Sequence, residues 1–280
     1  MNVKLVGAAT AAATALGAVA VMAHGSDGAQ AASSSYQPAW ADEFNGSSLS
    51  SQWKVLPTGA NAGRTCAVAT KKMSTVSGGE AKIGAAVDTS KKKTSTCPTH
   101  YLNSQIETTK SFLYGKFEAR IKFQGDRGMH AAFWMLPSAA APVVGTSSAD
   151  LPGYRGVEVD AAEYFGDAFG NPKAGIYSYV YSPQPDGSAK KIGGRAAKAT
   201  SVIGSKKPSG GYHTYAVEWT PTAYIFSVDG KVTQRITEGI SHRPESVLLS
   251  LLTSDWEVPK MNNKKLPEAM SVDWVHVSQK

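Results

Sequence analysis

Residues 156–164 constrain the chain more than any other stretch. They place three carboxylates, Glu158, Asp160 and Glu163, in an otherwise apolar run. The neighbouring valines favour a β-strand, and side chains alternate along a strand, so Glu158 and Asp160 share one face. Glu163 would point to the opposite face of a regular strand, but one extra residue, a β-bulge around Ala161-Ala162, returns it to theirs. We therefore predict a bulged strand that presents three acids together.

The spacing of these acids fits glycoside hydrolysis. With the bulge, the two glutamates lie about four strand steps, or roughly 13 Å, apart along the backbone. Side chains that lean inward can reach the carboxyl separation of about 5 Å that retaining glycosidases use. Asp160 would hydrogen-bond Glu158 and help to give the two glutamates unequal proton affinities. The alternative is structural, since acids at alternate strand positions commonly form the solvated face of an antiparallel sheet.

The rest of the chain has the pattern of short strands. Residues 117–123 alternate apolar and charged side chains, and Asp229-Gly230 predicts a hairpin turn between strands at 223–228 and 231–237. The 27 glycines and 14 prolines disfavour long helices. We predict an all-β fold, a sandwich of two antiparallel sheets that forms one domain over residues 32–280. Further strands are predicted near residues 53–56, 75–76, 81–83 (after a Gly78-Gly79 turn), 102–109, 131–136, 176–181, 213–219, 247–252 and 271–277.

Residues 1–31 differ from the rest in composition. Lys4 precedes an apolar run rich in alanine and valine, and Ala29-Gln30-Ala31 fits a cleavage site. This pattern predicts a secretory signal peptide and an extracellular protein, with an uncleaved membrane anchor as the alternative. Export would expose the two cysteines, Cys66 and Cys97, to an oxidising compartment. We therefore predict one disulfide, with a reactive thiol as the alternative.

The net charge of +7 comes with lysine pairs and triplets beside Gly, Ser, Thr and Pro. This pattern favours exposed loops over a nucleic-acid-binding surface. A general attraction to an anionic cell wall or polysaccharide is an intermediate interpretation. The chain contains no Gly-x-Ser-x-Gly elbow, no phosphate-binding loop and no His-Glu-x-x-His motif. Tryptophan and tyrosine offer flat platforms for sugar rings. Trp134, Tyr179 and Trp256 fall in segments that could border the acids.

Six segments, in order, resemble glycoside hydrolase family 16. Residues 158–163 resemble its Glu-x-Asp-x-x-Glu signature, in the bulged form found in laminarinases. This resemblance implies a concanavalin-like β-jelly-roll with a glycan cleft, and retaining endo-hydrolysis of β-1,3-glucan. It implies Glu158 as nucleophile, Asp160 as its helper and Glu163 as general acid/base. The other matching segments are residues 42–46, 114–122, 132–137, 212–220 with 228–230, and 273–275.

The same resemblance assigns binding positions and partners. It implies no cofactor for catalysis, but a structural calcium ion at Glu43 and Asp273. We expect a monomer that acts on a polysaccharide, without nucleic-acid or membrane partners. A mixed-linkage glucan or galactan substrate, transglycosylation, and a non-catalytic glycan-binding sandwich are the alternatives, because His130 replaces an aromatic platform and Tyr179 a histidine. The expected substrate-binding residues are Trp134, His130, Asn45, Tyr179 and Trp256.

Overall fold

A computed structural model describes residues 35–56, 63–137, 157–167, 175–184, 186, 188–204 and 207–280. The predicted signal peptide at 1–31 lies outside these residues. The first eight strands are β1 Gln37–Asp42, β2 Trp53–Val55, β3 Ala67–Ala69, β4 Ser74–Ser77, β5 Glu80–Val87, β6 Tyr101–Thr108, β7 Gly115–Lys122 and β8 His130–Pro137. The others are β9 Glu158–Tyr164, β10 Tyr177–Pro183, β11 Ala189–Arg195, β12 His213–Thr220, β13 Ala223–Val228, β14 Lys231–Ile236, β15 Glu245–Leu252 and β16 Glu268–Gln279.

Helical structure is sparse in the described residues. The α-helix α1 spans Ala197–Ile203, between β11 and β12. Short 3-10 turns span Lys71–Met73, Val258–Lys260 and Asn263–Lys265. The prediction that the chain forms few helices is therefore confirmed for these residues.

The strands form two sheets. Sheet I runs β11-β10-β9-β8-β15-β6, with β2 on the far side of β6. Sheet II runs β5-β16-β7-β12-β13-β14, with β4 beside β5 and β1 beside β16. The two sheets are joined at one edge, where the end of β5 pairs with the start of β6. The pairings are antiparallel, apart from the parallel pair of β3 with β6. The predicted all-β sandwich is therefore confirmed.

Apolar side chains from both sheets meet between them. In β7, Phe117, Ala119 and Ile121 are fully buried, and they alternate with more exposed charged residues, as the sequence predicted. In β8 the core positions are Phe133 and its alternate neighbours, whereas Trp134 faces the other way and is half-buried. One face of each strand in sheet I thus belongs to the core, and the opposite face is available for a site.

The predicted hairpin turns are present. Gly78 and Gly79 have φ angles of 63° and 78° between β4 and β5, and Asp229 and Gly230 have φ angles of 47° and 74° between β13 and β14. Positive φ is the conformation that tight hairpin turns require, and Gly and Asp adopt it more readily than most residues. No helix in the described part of the chain is long and apolar enough to cross a membrane.

The predicted disulfide is also confirmed. Cys66 and Cys97 are joined, with an S–S distance of 2.07 Å and a sequence separation of 31. Cys66 immediately precedes β3, and its carbonyl accepts a hydrogen bond of 2.9 Å from the amide of Tyr101 at the start of β6. The bridge therefore fixes the chain where it enters β3, beside the β6 edge of sheet I.

Candidate active site

The bulge in β9 appears in the pairing on both sides of the strand. Against β10, Tyr177 pairs with Glu163 but Tyr179 pairs with Asp160, so three steps on β9 match two on its neighbour. Against β8, the register shifts between Phe133 and Trp134. The extra residue lies at Ala161-Ala162, as predicted. Both alanines pack into the core, where small side chains suit the crowded kink.

The bulge brings the three acids to one pocket. A cavity of about 210 Å³ on the outer face of sheet I contains Glu158, Asp160 and Glu163 together. Glu158 is partly exposed, whereas Asp160 and Glu163 are 3% and 7% exposed. We call this cavity the cleft. Its complete lining is Arg64, Gln105, His130, Ala132, Trp134, Glu158, Asp160, Glu163, Ser250 and Leu252.

Asp160 has the most perturbed environment of the three acids. Burial raises the pKa of its carboxyl well above the usual range, and the charges of Glu163 and Glu158 raise it further. The charge of Lys191 acts in the opposite direction. Asp160 Oδ2 is buried and has no hydrogen-bond partner among the described residues. Asp160 therefore favours the protonated form, in which it can donate a hydrogen bond to a neighbouring acid.

His130 contacts Glu163 directly. Its Nε2 is hydrogen-bonded to Glu163 Oε1, and the two side chains are 14% and 10% exposed. The imidazole ring stacks on Phe165, with a centroid distance of 4.7 Å. The sequence predicted His130 as a substrate-binding residue, whereas this contact also lets it share a proton with Glu163.

Aromatic residues lie on both sides of the acids. Trp134 pairs with Asp160 across β8 and β9, and its Nε1 is buried without a partner among the described residues. Tyr179 pairs with Asp160 from the β10 side, and Lys191 Nζ lies 3.6 Å from the centroid of its ring. Trp256 is 48% exposed, and its ring centroid is 6.3 Å from that of His130. The structure therefore places Trp134 and Tyr179 beside Asp160, and Trp256 beside His130.

Three polar residues of the cleft were absent from the sequence prediction. Gln105 on β6 and Ser250 on β15 form a cross-strand pair on its floor. Arg64 enters from the segment before β3. The alternation of β6 and β15 could have identified the first two, but only the folded path of a loop brings Arg64 to the acids.

The chain matches a known protein family. The profile described as "Glycosyl hydrolases family 16" matches residues 68–276, which is more than half of the chain. The chain belongs to this family. The matched residues include the bulged strand and its three acids.

Two curated relatives show distant similarity to the chain. The chain is 27% identical over 184 residues to a beta-glucanase of Fibrobacter succinogenes, covering 63% of this chain and 46% of the relative. It is 25% identical over 175 residues to a keratan-sulfate endo-1,4-beta-galactosidase of Sphingobacterium multivorum, covering 60% and 37%. The chain thus spans less than half the length of these curated relatives. A laminarinase structure from Flavobacterium sp. UMI-01 is similar in fold, with a TM-score of 0.63, 22% identity, and coverage of 87% and 100%.

Asn45 lies elsewhere in this family 16 chain. It is exposed, and its Oδ1 is 3.9 Å from the position that a Cβ at Gly79 would occupy, at the turn between β4 and β5. Asn45 is not among the described residues that line the cleft. The geometry therefore gives no support to the prediction that it binds substrate.

The predicted calcium ligands are both paired with basic side chains. Glu43 Oε1 lies 2.5 Å from His276 Nε2, and Asp273 Oδ2 lies 2.5 Å from Arg120 Nη1. Among the described residues, no group of three or more His, Cys, Asp or Glu side chains is arranged to hold a metal ion. Calcium takes about six to eight oxygen ligands, which include backbone carbonyls and water as well as carboxylates. The two side chains alone do not make up such a set, and the structural calcium ion stays a prediction.

Proposed function

We propose that this protein is a retaining endo-β-glycanase that hydrolyses β-1,3-glucan of the laminarin type. The observation that carries the proposal is the bulge in β9, which directs Glu158, Asp160 and Glu163 into one cleft beside Trp134. Two carboxyl groups on one face, with an aromatic platform for a sugar, are what double displacement needs.

In the first step, Glu158 attacks the anomeric carbon while Glu163 donates its proton to the leaving glycosidic oxygen. The bond to the leaving group breaks as the bond to Glu158 forms, which gives a glycosyl-enzyme. Asp160 lies between them in sequence and favours the protonated form. A hydrogen bond from Asp160 to Glu158 would orient the nucleophile and stabilise its carboxylate.

In the second step, Glu163 acts as a base. It takes a proton from water, which attacks the anomeric carbon and releases Glu158 with net retention of configuration. Glu163 must therefore hold a proton in one step and lose it in the next. The contact of His130 Nε2 with Glu163 Oε1 supplies a neighbouring base that can share this proton.

Glu158→Gln tests the proposal. We expect the variant to lose at least about 10⁴-fold in release of reducing ends from laminarin, because the amide cannot form the glycosyl-enzyme. Circular dichroism should show an unchanged fold. NMR of the first wild-type product should show the β-anomer. Wild-type rates in the variant, or an α-anomer as first product, would contradict the mechanism.

A β-galactan is the second candidate substrate. The match to a keratan-sulfate endo-1,4-beta-galactosidase favours it, together with His130 at a position where laminarinase-like sequences have an aromatic platform. We would compare laminarin, mixed-linkage glucan, β-1,4-galactan and keratan sulfate at equal mass concentration. The highest kcat/KM assigns the substrate, and the product lengths separate hydrolysis from transglycosylation.

We also propose that the protein is exported and acts as an extracellular monomer. The composition of residues 1–31 and the disulfide between Cys66 and Cys97 support export, because disulfides persist in oxidising compartments. N-terminal sequencing of protein recovered from culture medium would test it, and an N-terminus near residue 32 is expected. Light scattering would test the monomer.

A further inference from the structure

Arg64 belongs to a segment, residues 63–66, that is fixed on two sides. On one side, Cys66 is covalently bound to Cys97. On the other, the carboxylate of Asp255 accepts hydrogen bonds from the amide and the hydroxyl of Thr65, at 3.0 and 2.8 Å. The amide of Asp255 in turn donates to the carbonyl of Gly63 at 2.8 Å. The backbone on both sides of Arg64 is therefore held in place.

The side chain of Trp256 packs against the same segment, residues 63–66, at Gly63. A Cβ at Gly63 would lie 2.5 Å from its ring, so the backbone of Gly63 passes directly over the indole. Gly63 also has a φ of 85°, a conformation that favours glycine. Since Trp256 lies near His130, the segment is part of the cleft wall.

The Arg64 side chain reaches from this wall into the cleft. It is half-buried and lines the cavity with the three acids, Gln105 and Ser250. Its Nε is buried and has no acceptor among the described residues. Burial lowers the pKa of the guanidinium, and the charges of Glu158 and Asp255 oppose that effect. A donor that is desolvated inside a ligand-sized cavity is costly unless an acceptor is supplied.

We propose that Arg64 is a substrate-binding residue whose guanidinium donates to an oxygen of the sugar unit that lies over β15 and β6, next to the unit attacked by Glu158. Gln105 and Ser250 line the cleft on that side. This inference rests on the proposed function in one respect, the role of Glu158. Residues 63–66 act as the rigid support that positions the guanidinium.

The acceptor is an uncharged oxygen, either a hydroxyl or a ring oxygen. The cleft holds three carboxylates, and an anionic substituent beside Glu158 would be repelled by them. A neutral sugar oxygen accepts a hydrogen bond from the guanidinium without that repulsion. The carboxylates thereby disfavour sulfated or carboxylated glycans, and Arg64 supplies the donor for neutral ones.

Substitution of Arg64 tests the role kinetically. Arg64→Ala should lower kcat/KM for the best neutral polysaccharide by about 10- to 100-fold, chiefly through KM, because a charge-assisted hydrogen bond is lost. Arg64→Lys keeps the charge but not the planar guanidinium, so it should remain well below wild type. Arg235→Ala, on the exposed part of β14, is the matched control and should behave as wild type. Full activity in Arg64→Lys would overturn donation from the guanidinium.

Binding separates this inference from the proposed reaction. We would measure binding of laminaripentaose, a β-1,4-galactan oligosaccharide and a keratan-sulfate oligosaccharide by calorimetry in a Glu163→Gln background, with and without Arg64→Ala. Loss of at least about tenfold in affinity for a neutral oligosaccharide supports the inference, even if wild type does not hydrolyse laminarin. Equal affinities for every glycan, or an Arg64-dependent affinity for the sulfated glycan alone, would overturn it.

Removal of the disulfide tests whether residues 63–66 position the guanidinium of Arg64. A Cys66→Ser/Cys97→Ser double variant should raise KM in the same direction as Arg64→Ala, and combining the two should add little. Thermal unfolding identifies the temperature range in which the double variant remains folded, and kinetics are compared there. Fully additive effects on kcat/KM would show that the segment does not act through Arg64.

Discussion

The two faces of β9 carry different kinds of side chain and face different surroundings. The cleft face carries three acids in a polar cavity, whereas the core face carries Val159, two alanines and Tyr164, all buried. Glu158 and Val159 are adjacent in the chain, yet one borders solvent and the other is fully buried. Alternation along one strand therefore places the residues proposed for catalysis on one face and the residues that stabilise the core on the other. At the bulge the two depend on each other, because the packing of the alanines in the core sets the direction of Glu163.

Deletion of Ala161 should have the largest effect. Removal of the extra residue turns Glu163 towards the core, or shifts the pairing with β8, so we expect loss of activity by at least about 10⁴-fold. A carboxyl forced into the core should also destabilise the fold by about 3 kcal/mol or more. Activity on the preferred glycan and urea unfolding measure both effects. Ala161→Gly keeps the residue count and should remain active, and an active deletion variant would refute the role of the bulge.

Much of this architecture could be predicted from the sequence. Alternation identified strands such as β7, and the Asp229-Gly230 turn fixed a hairpin, because both signals are local. The sequence analysis did not identify β1, β3, β11 and α1, since they are short or polar and contain little periodic apolar pattern. The contact of His130 with Glu163 depends on the register between β8 and β9, which no local pattern specifies.

Phe133 and Trp134 extend the comparison to the neighbouring strand, β8. Phe133 is fully buried in the core, so Phe133→Ala should cost about 3–5 kcal/mol of stability with little change in kcat at temperatures where it stays folded. Trp134→Ala should lower kcat/KM by about tenfold or more and cost less stability than Phe133→Ala. Chemical denaturation and steady-state kinetics on both variants test this. If Trp134→Ala lost more stability and Phe133→Ala lost more kcat/KM, the two faces of β8 would not have separate roles.

Asp160→Asn should weaken activity and strengthen the fold. The raised pKa of Asp160 means that the folded state holds this proton more tightly than the unfolded chain, whose aspartates titrate at about 3.9. Wild-type stability therefore falls, through this group, as pH rises from about 4 through the folded pKa. The amide removes that loss, so the stability advantage of Asp160→Asn should be absent at about pH 3.5 and should grow as pH rises to 7. Thermal melts across this range would detect the trend, and a constant difference would contradict it.

His130→Gln should have the smallest effect. His130 Nε2 is hydrogen-bonded to Glu163 Oε1, and loss of a single hydrogen bond that orients this carboxyl should lower kcat by only about threefold. Steady-state kinetics on the preferred glycan measure the change. His242→Gln is the matched control, since His242 bonds Tyr114 instead. An unchanged kcat with a raised KM would limit His130 to substrate contact.

The position of β15 limits how this protein can be modified. The strand lies between β8 and β6, and all eight of its residues are buried, with Val247, Leu249 and Leu251 in the core and Ser250 and Leu252 at the cleft. Its amides should be among the slowest to exchange with deuterium. A library that diversifies this strand to change glycan preference would yield many unfolded members, so redesign should begin from the loops at the rim.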